Sequence, residues 1–164
     1  MREARVMAVS AEDNQNNENR DFIKDGGKIL TFVSDGKFFG FEITDVTDII
    51  GLQPITRLPR TPNFVKGVIN LRGKAVPVID FRLRLGYPEE EYDHRSCIIV
   101  VEVASNQAGI ICDRVSDVEE IAPEQIAPSP LTGGTVKCFI TTAKNRISVI
   151  DPLALIKGKG KGKV

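Results

Sequence analysis

This chain of 164 residues has no tryptophan, one histidine and three cysteines. Each scarcity removes a class of chemistry. His94 sits in the charged loop Asp93-His94-Arg95. A general base there has little to orient it and no nucleophile pattern beside it, so it reads as a surface side chain. Cys97, Cys112 and Cys138 form no C-x-x-C pair. Structural zinc commonly takes four Cys or His ligands at characteristic spacings, which these residues do not match. Cys97 and Cys112 lie in apolar runs and read as small buried hydrophobes. There is no P-loop and no dinucleotide fingerprint. Gly26-Gly27 and Gly133-Gly134 read as plain flexible pairs. The expectation is a chain with no catalytic residue, no metal and no cofactor.

Net charge is absent too. Twenty-two basic residues balance 22 acidic ones. Nucleic-acid binders usually carry a basic excess, so nucleic acid is not an expected partner. The exception is local: Lys157 to Lys163 alternates lysine with glycine. That tail reads as a flexible, solvated end, with contact to an anionic membrane surface as the sharper alternative. No apolar run approaches the length of a membrane span. The apolar patch Val6 to Val9 is too short for a signal peptide, and acidic and amide residues follow it. Three thiols without a disulfide framework point to a reducing compartment. A cytoplasmic protein without direct membrane insertion is expected.

What is present is a globular composition, 41% hydrophobic. A chain of this size buries roughly two-thirds of its unfolded surface. Residues 1–26, with AEDNQNNENRD, read as disordered. Order begins near Lys28. Lys28 to Ser34 and Lys37 to Ile43 read as strands around the turn Asp35-Gly36. Phe39, Phe41 and Ile43 share one face, and Phe38, Gly40 and Glu42 the other. Val46, Ile49 and Ile50 fall at helical spacing, with Thr44 or Asp45 as cap and Gly51 as stop. Ile55 to Leu58 reads as a short strand. Pro62 to Gly67 reads as a helical turn closed by glycine.

Further on, Asp80 can cap a turn from Phe81 to Leu85. Tyr87 to Arg95 is a polar, acidic loop. Cys97 to Val103 and Ala108 to Cys112 form a hairpin around Ser105-Asn106. Ala122 to Gly134, with three prolines, is irregular. Val136 to Thr142 and Arg146 to Ile150 are the last strands, and Asp151-Pro152 opens a final helix. Gly40-Phe41 through Val46-Thr47-Asp48-Ile49 aligns with Gly109-Ile110 through Val115-Ser116-Asp117-Val118. This weak internal repeat suggests two similar small β-barrels. Short strands, frequent turns and little helix indicate an all-β class.

The most informative stretch is FVKGVINLRGKAVPVIDFRLRLG, Phe64 to Gly86. It reads as strand, tight turn at Leu71-Arg72-Gly73-Lys74, and strand. Pro77 lies in the second strand. Proline has no amide hydrogen and usually marks a sheet edge, where another protein can pair. Arg72 sits near the turn, where a guanidinium can face a partner. The segment reads as a binding surface, not a catalytic cleft.

GVINLRGKAVPVIDFRLRLG resembles the signature of the bacterial chemotaxis coupling protein family CheW, and the resemblance runs from about Lys28 to about Lys157. It implies an all-β fold of two packed five-stranded β-barrel subdomains, with short helical turns and a short C-terminal helix. On that basis the CheW-like domain spans 27–157. The subdomains are about 27–86, joined by the C-terminal helix, and 87–150. Residues 158–164 form the basic tail.

The resemblance implies a non-enzymatic scaffold that links the cytoplasmic tip of chemoreceptors to the histidine kinase CheA, with weak self-association in arrays left open. The receptor tip, a helical hairpin, would dock in a groove between the barrels. By position, Val46 and Asp48 match a receptor-contacting valine and glutamate, and Asn70 and Arg72 match the asparagine and arginine of N-L-R-G. Ile49 and Val68 complete an apolar stripe. Asp48 replaces the usual glutamate, and Ile50 stands where some members carry a basic residue. Val76, Pro77 and Val78 are candidates for the kinase contact, against the reading of Val76 and Val78 as core. Asp48 and Arg72 could instead pair with each other as a surface salt bridge. Asp113 and Asp117 read as the wet face of a short helix. Two other readings remain at this level: an adaptor of another chemosensory pathway, such as surface motility or gene regulation, or a small-ligand-binding or enzymatic barrel.

Overall fold

The computed structural model describes residues 26–129 and 134–157. The segment expected to be disordered (save residue 26), residues 130–133 and the basic tail lie outside the described residues. Strands dominate. In chain order they are β1 (Gly27–Ser34), β2 (Lys37–Glu42), β3 (Val46–Gly51), β4 (Val65–Leu71), β5 (Lys74–Asp80), β6 (Cys97–Val103), β7 (Asn106–Cys112), β8 (Arg114–Ile121), β9 (Ile126–Pro128), β10 (Val136–Thr141) and β11 (Arg146–Ile150). Helix α1 (Phe81–Arg84) follows β5, and helix α2 (Pro152–Ile156) follows β11. The all-β expectation holds.

Three hairpins turn on two residues, each residue with positive φ: Asp35-Gly36, Arg72-Gly73 and Ala104-Ser105. Such turns match the right-handed twist of the strands they join. The third lies one residue earlier than Ser105-Asn106. Both helices start from an aspartate cap, the last residue of β5 in one case and the residue after β11 in the other. Asp80 accepts from the Leu83 amide at 3.1 Å, and Asp151 from the Leu153 amide at 3.1 Å.

The strands form two sheets, of order β8-β1-β2-β11-β10-β9 and β3-β6-β7-β5-β4. Neither sheet pairs its first strand with its last, so closed five-stranded barrels give way to open sheets. Nor do the sheets follow a division near residue 86. The hairpin β1–β2 lies with β8, β10 and β11, while the hairpin β6–β7 lies with β3, β4 and β5. Each half of the chain lends its first hairpin to strands of the other half.

Each sheet curls around its own aliphatic core. Ile69, Leu71, Val76, Val78, Ile98, Val100 and Ile111 fill one. Ile29, Ile121, Cys138, Ile140, Ile147 and Val149 fill the other. The opposite faces meet in a third, larger core. There Phe81 lies edge-on to Phe32 and Phe39, with ring centres 5.0 and 4.7 Å apart. Buried Arg84 binds the two helices together, donating to the carbonyls of Leu155 and Ala154 at 2.8 and 3.1 Å.

Several local expectations change. Val46 to Gly51 is a strand, preceded by a 3-10 turn over Ile43–Asp45. Four of its six residues are β-branched, and pairing with β6 uses that preference. Likewise Arg114 to Ile121 is β8, so Asp117 lies on a strand and not on a helix. Pro62 does start one turn, with Val65 donating to its carbonyl, but β4 already begins at Val65. Of Ile55 to Leu58 only Thr56 pairs, with Val68. The irregular segment contains a 3-10 turn, Pro123–Gln125, and the short β9.

Pro77 is not on an edge strand. β5 lies between β4 and β7, and the edge is β4. Opposite Pro77, both backbone groups of Val68 bond outward to Thr56, so the missing amide is not needed on the β4 side. On the other side the parallel ladder to β7 begins only at Val78. The proline thus stands where neither neighbour asks for a donor.

Candidate functional site

A β-bulge in β3 builds the site. Val46 pairs with Val101 and Asp48 with Val100, leaving Thr47 as the extra residue. Strand residues alternate between faces, so without the bulge Asp48 would share the face of Val46. With it, Val46 faces the central core, while Asp48 stands on the side of Val100 and Ile50, at the mouth of the curled sheet.

Arg72 meets it there. The β4–β5 turn carries Arg72 in the left-handed region at φ 54°, a conformation uncommon for a residue with a side chain. The Asn70 carboxamide oxygen accepts from the Gly73 amide at 3.0 Å and closes the turn. The Arg72 Nη2 then donates to Asp48 Oδ2 at 2.6 Å. Asp48 Oδ1 accepts from the Ile49 amide at 3.0 Å. The Arg72 guanidinium holds the Asp48 carboxyl below its ordinary range. The Arg72 side chain remains 70% exposed and Asp48 24%, so the cation is the member offered to solvent.

The apolar candidates lie on the other face of the sheet from Asp48 and differ in exposure. Ile49 is 43% exposed. Val46 and Val68 are half-buried. All three lie on the face turned away from the sheet's own interior core. Val68 and exposed Asn70 line a shallow groove of about 510 Å³ along β4, with Gln53, Pro54, Thr56 and Ala75. Of the candidates for a second contact, only Pro77 is exposed. Val76 and Val78 are buried inside the second sheet's core, as the alternative reading had them.

The second half of the chain repeats the frame without the ion pair. β8 has the same bulge, with Ser116 as its extra residue. Asp117 Oδ1 accepts from the Val118 amide at 2.8 Å, as Asp48 does from Ile49. Val118 is 47% exposed. Among the described residues, however, Asp117 has no ion pair, and the turn from β10 to β11 carries Lys144 and no arginine.

Two charge clusters escaped the sequence. Arg82 donates from Nε and Nη2 to both oxygens of Asp113, at 3.1 and 2.8 Å, and from Nη1 to Asp35 at 3.0 Å. Asp113 therefore anchors a helix instead of simply facing water. The Asp113 bond, against desolvation, raises the Arg82 pKa. In the second cluster, Lys137 donates to Glu42 at 2.8 Å. Burial pushes Glu42 up to about 8 and Asp45 up to about 6. Desolvation pulls Lys137 down, but Glu42, Asp45 and Asp151 outweigh it. No sequence spacing joins these residues, because sheet pairing brings them together.

Comparison with known proteins agrees with the fold. The family model described as CheW-like domain matches residues 28–159. The chain belongs to the CheW-like domain family. A chemotaxis protein CheW of Klebsiella aerogenes is 39% identical over 64% of this chain, and the match spans 63% of that protein's length. The Bacillus subtilis chemotaxis protein CheW is 32% identical over 82% of this chain and 89% of its own. Among solved structures, the scaffolding protein TtCheW from Thermoanaerobacter tengcongensis superposes with a TM-score of 0.77. It is 34% identical, and the match covers 85% of this chain and 98% of that one. Ile50 packs against the interior core.

Proposed function

We propose that this CheW-like chain is a non-catalytic scaffold of bacterial chemotaxis signalling. It couples the cytoplasmic tip of chemoreceptors to a CheA-type histidine kinase. One observation carries the receptor side: Arg72, exposed and held in a left-handed turn, stands over Asp48 beside exposed Ile49. A helical partner needs an apolar stripe with a few charges at its rim. Ile49, Val46 and Val68 supply the stripe. Asp48 and Arg72 supply the charges, which set register and deter wrong partners. Asn70 shapes the turn that presents Arg72. The absence of an arginine partner for Asp117 among the described residues favours the first half of the chain as the receptor side.

For the kinase contact we propose the exposed Pro77 as the member of the Val76-Pro77-Val78 segment that meets the partner directly. Val76 and Val78 support it from the core. The scaffold acts in the cytoplasm at membrane-associated receptor arrays, where holding both partners lets a receptor rearrangement shift the kinase between states. Both sheet interiors are filled with aliphatic side chains, which does not favour a small-ligand barrel. The test is co-sedimentation of the kinase with receptor cytoplasmic fragments, with and without this protein. Kinase recruitment that depends on this protein supports coupling; recruitment unchanged by it contradicts the proposal.

A further inference from the structure

Cys97 and Cys112 were expected to be inert apolar filling, but they face each other. Cys97 opens β6, Cys112 ends β7, and the antiparallel register pairs them directly. Their sulfurs lie 3.8 Å apart, close enough for one thiol to donate to the other. Directly opposed residues of an antiparallel ladder have Cα atoms about 4.5–5.5 Å apart. Disulfides span about 4.4–6.8 Å between Cα atoms, so the backbone need not move for a bond to close. We infer that Cys97 and Cys112 form a reactive dithiol, a modification site that a peroxide converts to a cross-strand disulfide and a thiol reductant restores.

Access and reactivity divide between the two. Cys97 is half-buried and Cys112 buried. Across β3 the residue paired with Cys97 is Gly51, which has no side chain to cover the sulfur. The Cys112 thiol, and then the Val115 amide, bond to the Cys97 sulfur and outweigh its partial desolvation, drawing its pKa down to about 7. Donating that bond, together with burial, pushes Cys112 up. A thiolate is therefore available at the half-buried position, and the proton stays on the buried one.

The steps balance. The Cys97 thiolate attacks one oxygen of hydrogen peroxide. The O–O bond breaks, hydroxide leaves, and Cys97 becomes a sulfenic acid. The Cys112 sulfur attacks the Cys97 sulfur as the S–O bond breaks, and the departing oxygen takes the Cys112 proton as water. Hydroxide takes up the proton first lost from Cys97. Two thiols and one peroxide give one disulfide and two waters. Cys138 is the internal control, since it lies in the other core and burial pushes it up to about 11.

The experiment treats the full chain with a few equivalents of hydrogen peroxide, denatures it, counts thiols and maps linked peptides. The expected result is loss of two of the three thiols, a peptide pair joining Cys97 to Cys112, and recovery with dithiothreitol. Cys97→Ser, at the half-buried position, should fold and keep its two remaining thiols under the same treatment. Three surviving thiols in the wild type would overturn the inference. So would oxidation of Cys97 to a sulfinic acid without a linked peptide, or a disulfide containing Cys138.

Discussion

Asp48 and Arg72 belong to opposite margins of the five-stranded sheet, yet they meet at 2.6 Å. Asp48 is on the edge strand β3, and Arg72 is in the turn joining β4, the other edge, to β5. Their bond spans the mouth left where the sheet curls without closing. It also fixes the direction in which the arginine is offered to a partner. An exposed ion pair adds under about 1 kcal/mol to stability, so its value lies in that presentation.

Arg72→Ala should therefore leave the fold almost untouched. Thermal unfolding should shift by no more than a few degrees, while affinity for a receptor cytoplasmic fragment falls by about tenfold or more, equivalent to about 1.4 kcal/mol. Calorimetry and a binding titration check the two halves. A folded variant with unchanged receptor affinity would put the contact elsewhere.

Gly67→Ala should be costly for a purely structural reason. Gly67 has φ 143°, and a Cβ there would stand 2.1 Å from the Thr56 carbonyl oxygen. That oxygen accepts from the Val68 amide and belongs to the one bridge beside β4. A loss of at least about 2 kcal/mol is expected, since both strain and a lost pairing contribute. Denaturant unfolding measures it. A binding defect in this variant would report misfolding and not a contact.

Removing Arg82 tests the cluster that the sequence concealed. Arg82→Ala leaves the Asp113 carboxylate without its cation and Asp35 with only the exposed Lys37. It should lower the melting temperature more than Arg72→Ala does, because the Arg82 side chain is 12% exposed against 70% for Arg72. Side-by-side thermal melts decide the order.

The Glu42 cluster predicts a pH dependence. Its folded pKa of about 8 lies above the ordinary value of 4.5, so the folded state holds a proton that the unfolded chain has released. The stability linked to Glu42 is complete below about pH 4.5 and is lost as pH rises through about 8. Asp45 adds the same sign through about pH 6. Glu42→Gln should thus lose less stability than wild type between pH 5 and 8.5. Denaturant midpoints at both pH values measure the difference. Equal slopes would contradict the assignment.

Much of the fold was legible because its signals are local. Asp35-Gly36 and Arg72-Gly73 supply the positive φ that tight hairpins need, and Asp80 and Asp151 cap their helices. The failures are equally physical. Val46, Ile49 and Ile50 mimic helical spacing because a bulge at Thr47 breaks strand alternation. Pro77 suggested an edge because the sequence does not show that the β7 ladder starts one residue later. A signal was available for the exchange of hairpins: Val78-Ile79-Asp80 recurs as Val149-Ile150-Asp151, each ending a strand that runs parallel to the second strand of the other half's hairpin. In the site, Asp48 and Arg72 were legible as residues. Their pairing was one of the two readings open in the sequence, while the sheet curvature that brings the two edges together is encoded in no local pattern.

The measurement that tests the central claim most directly is a three-component binding experiment with receptor cytoplasmic fragment, CheA-type kinase and this protein, comparing wild type with the double variant Asp48→Ala/Arg72→Ala. The account predicts that wild type binds both partners, and that the folded double variant keeps the kinase while losing the receptor. Retention of the receptor, or loss of both partners together, would contradict it.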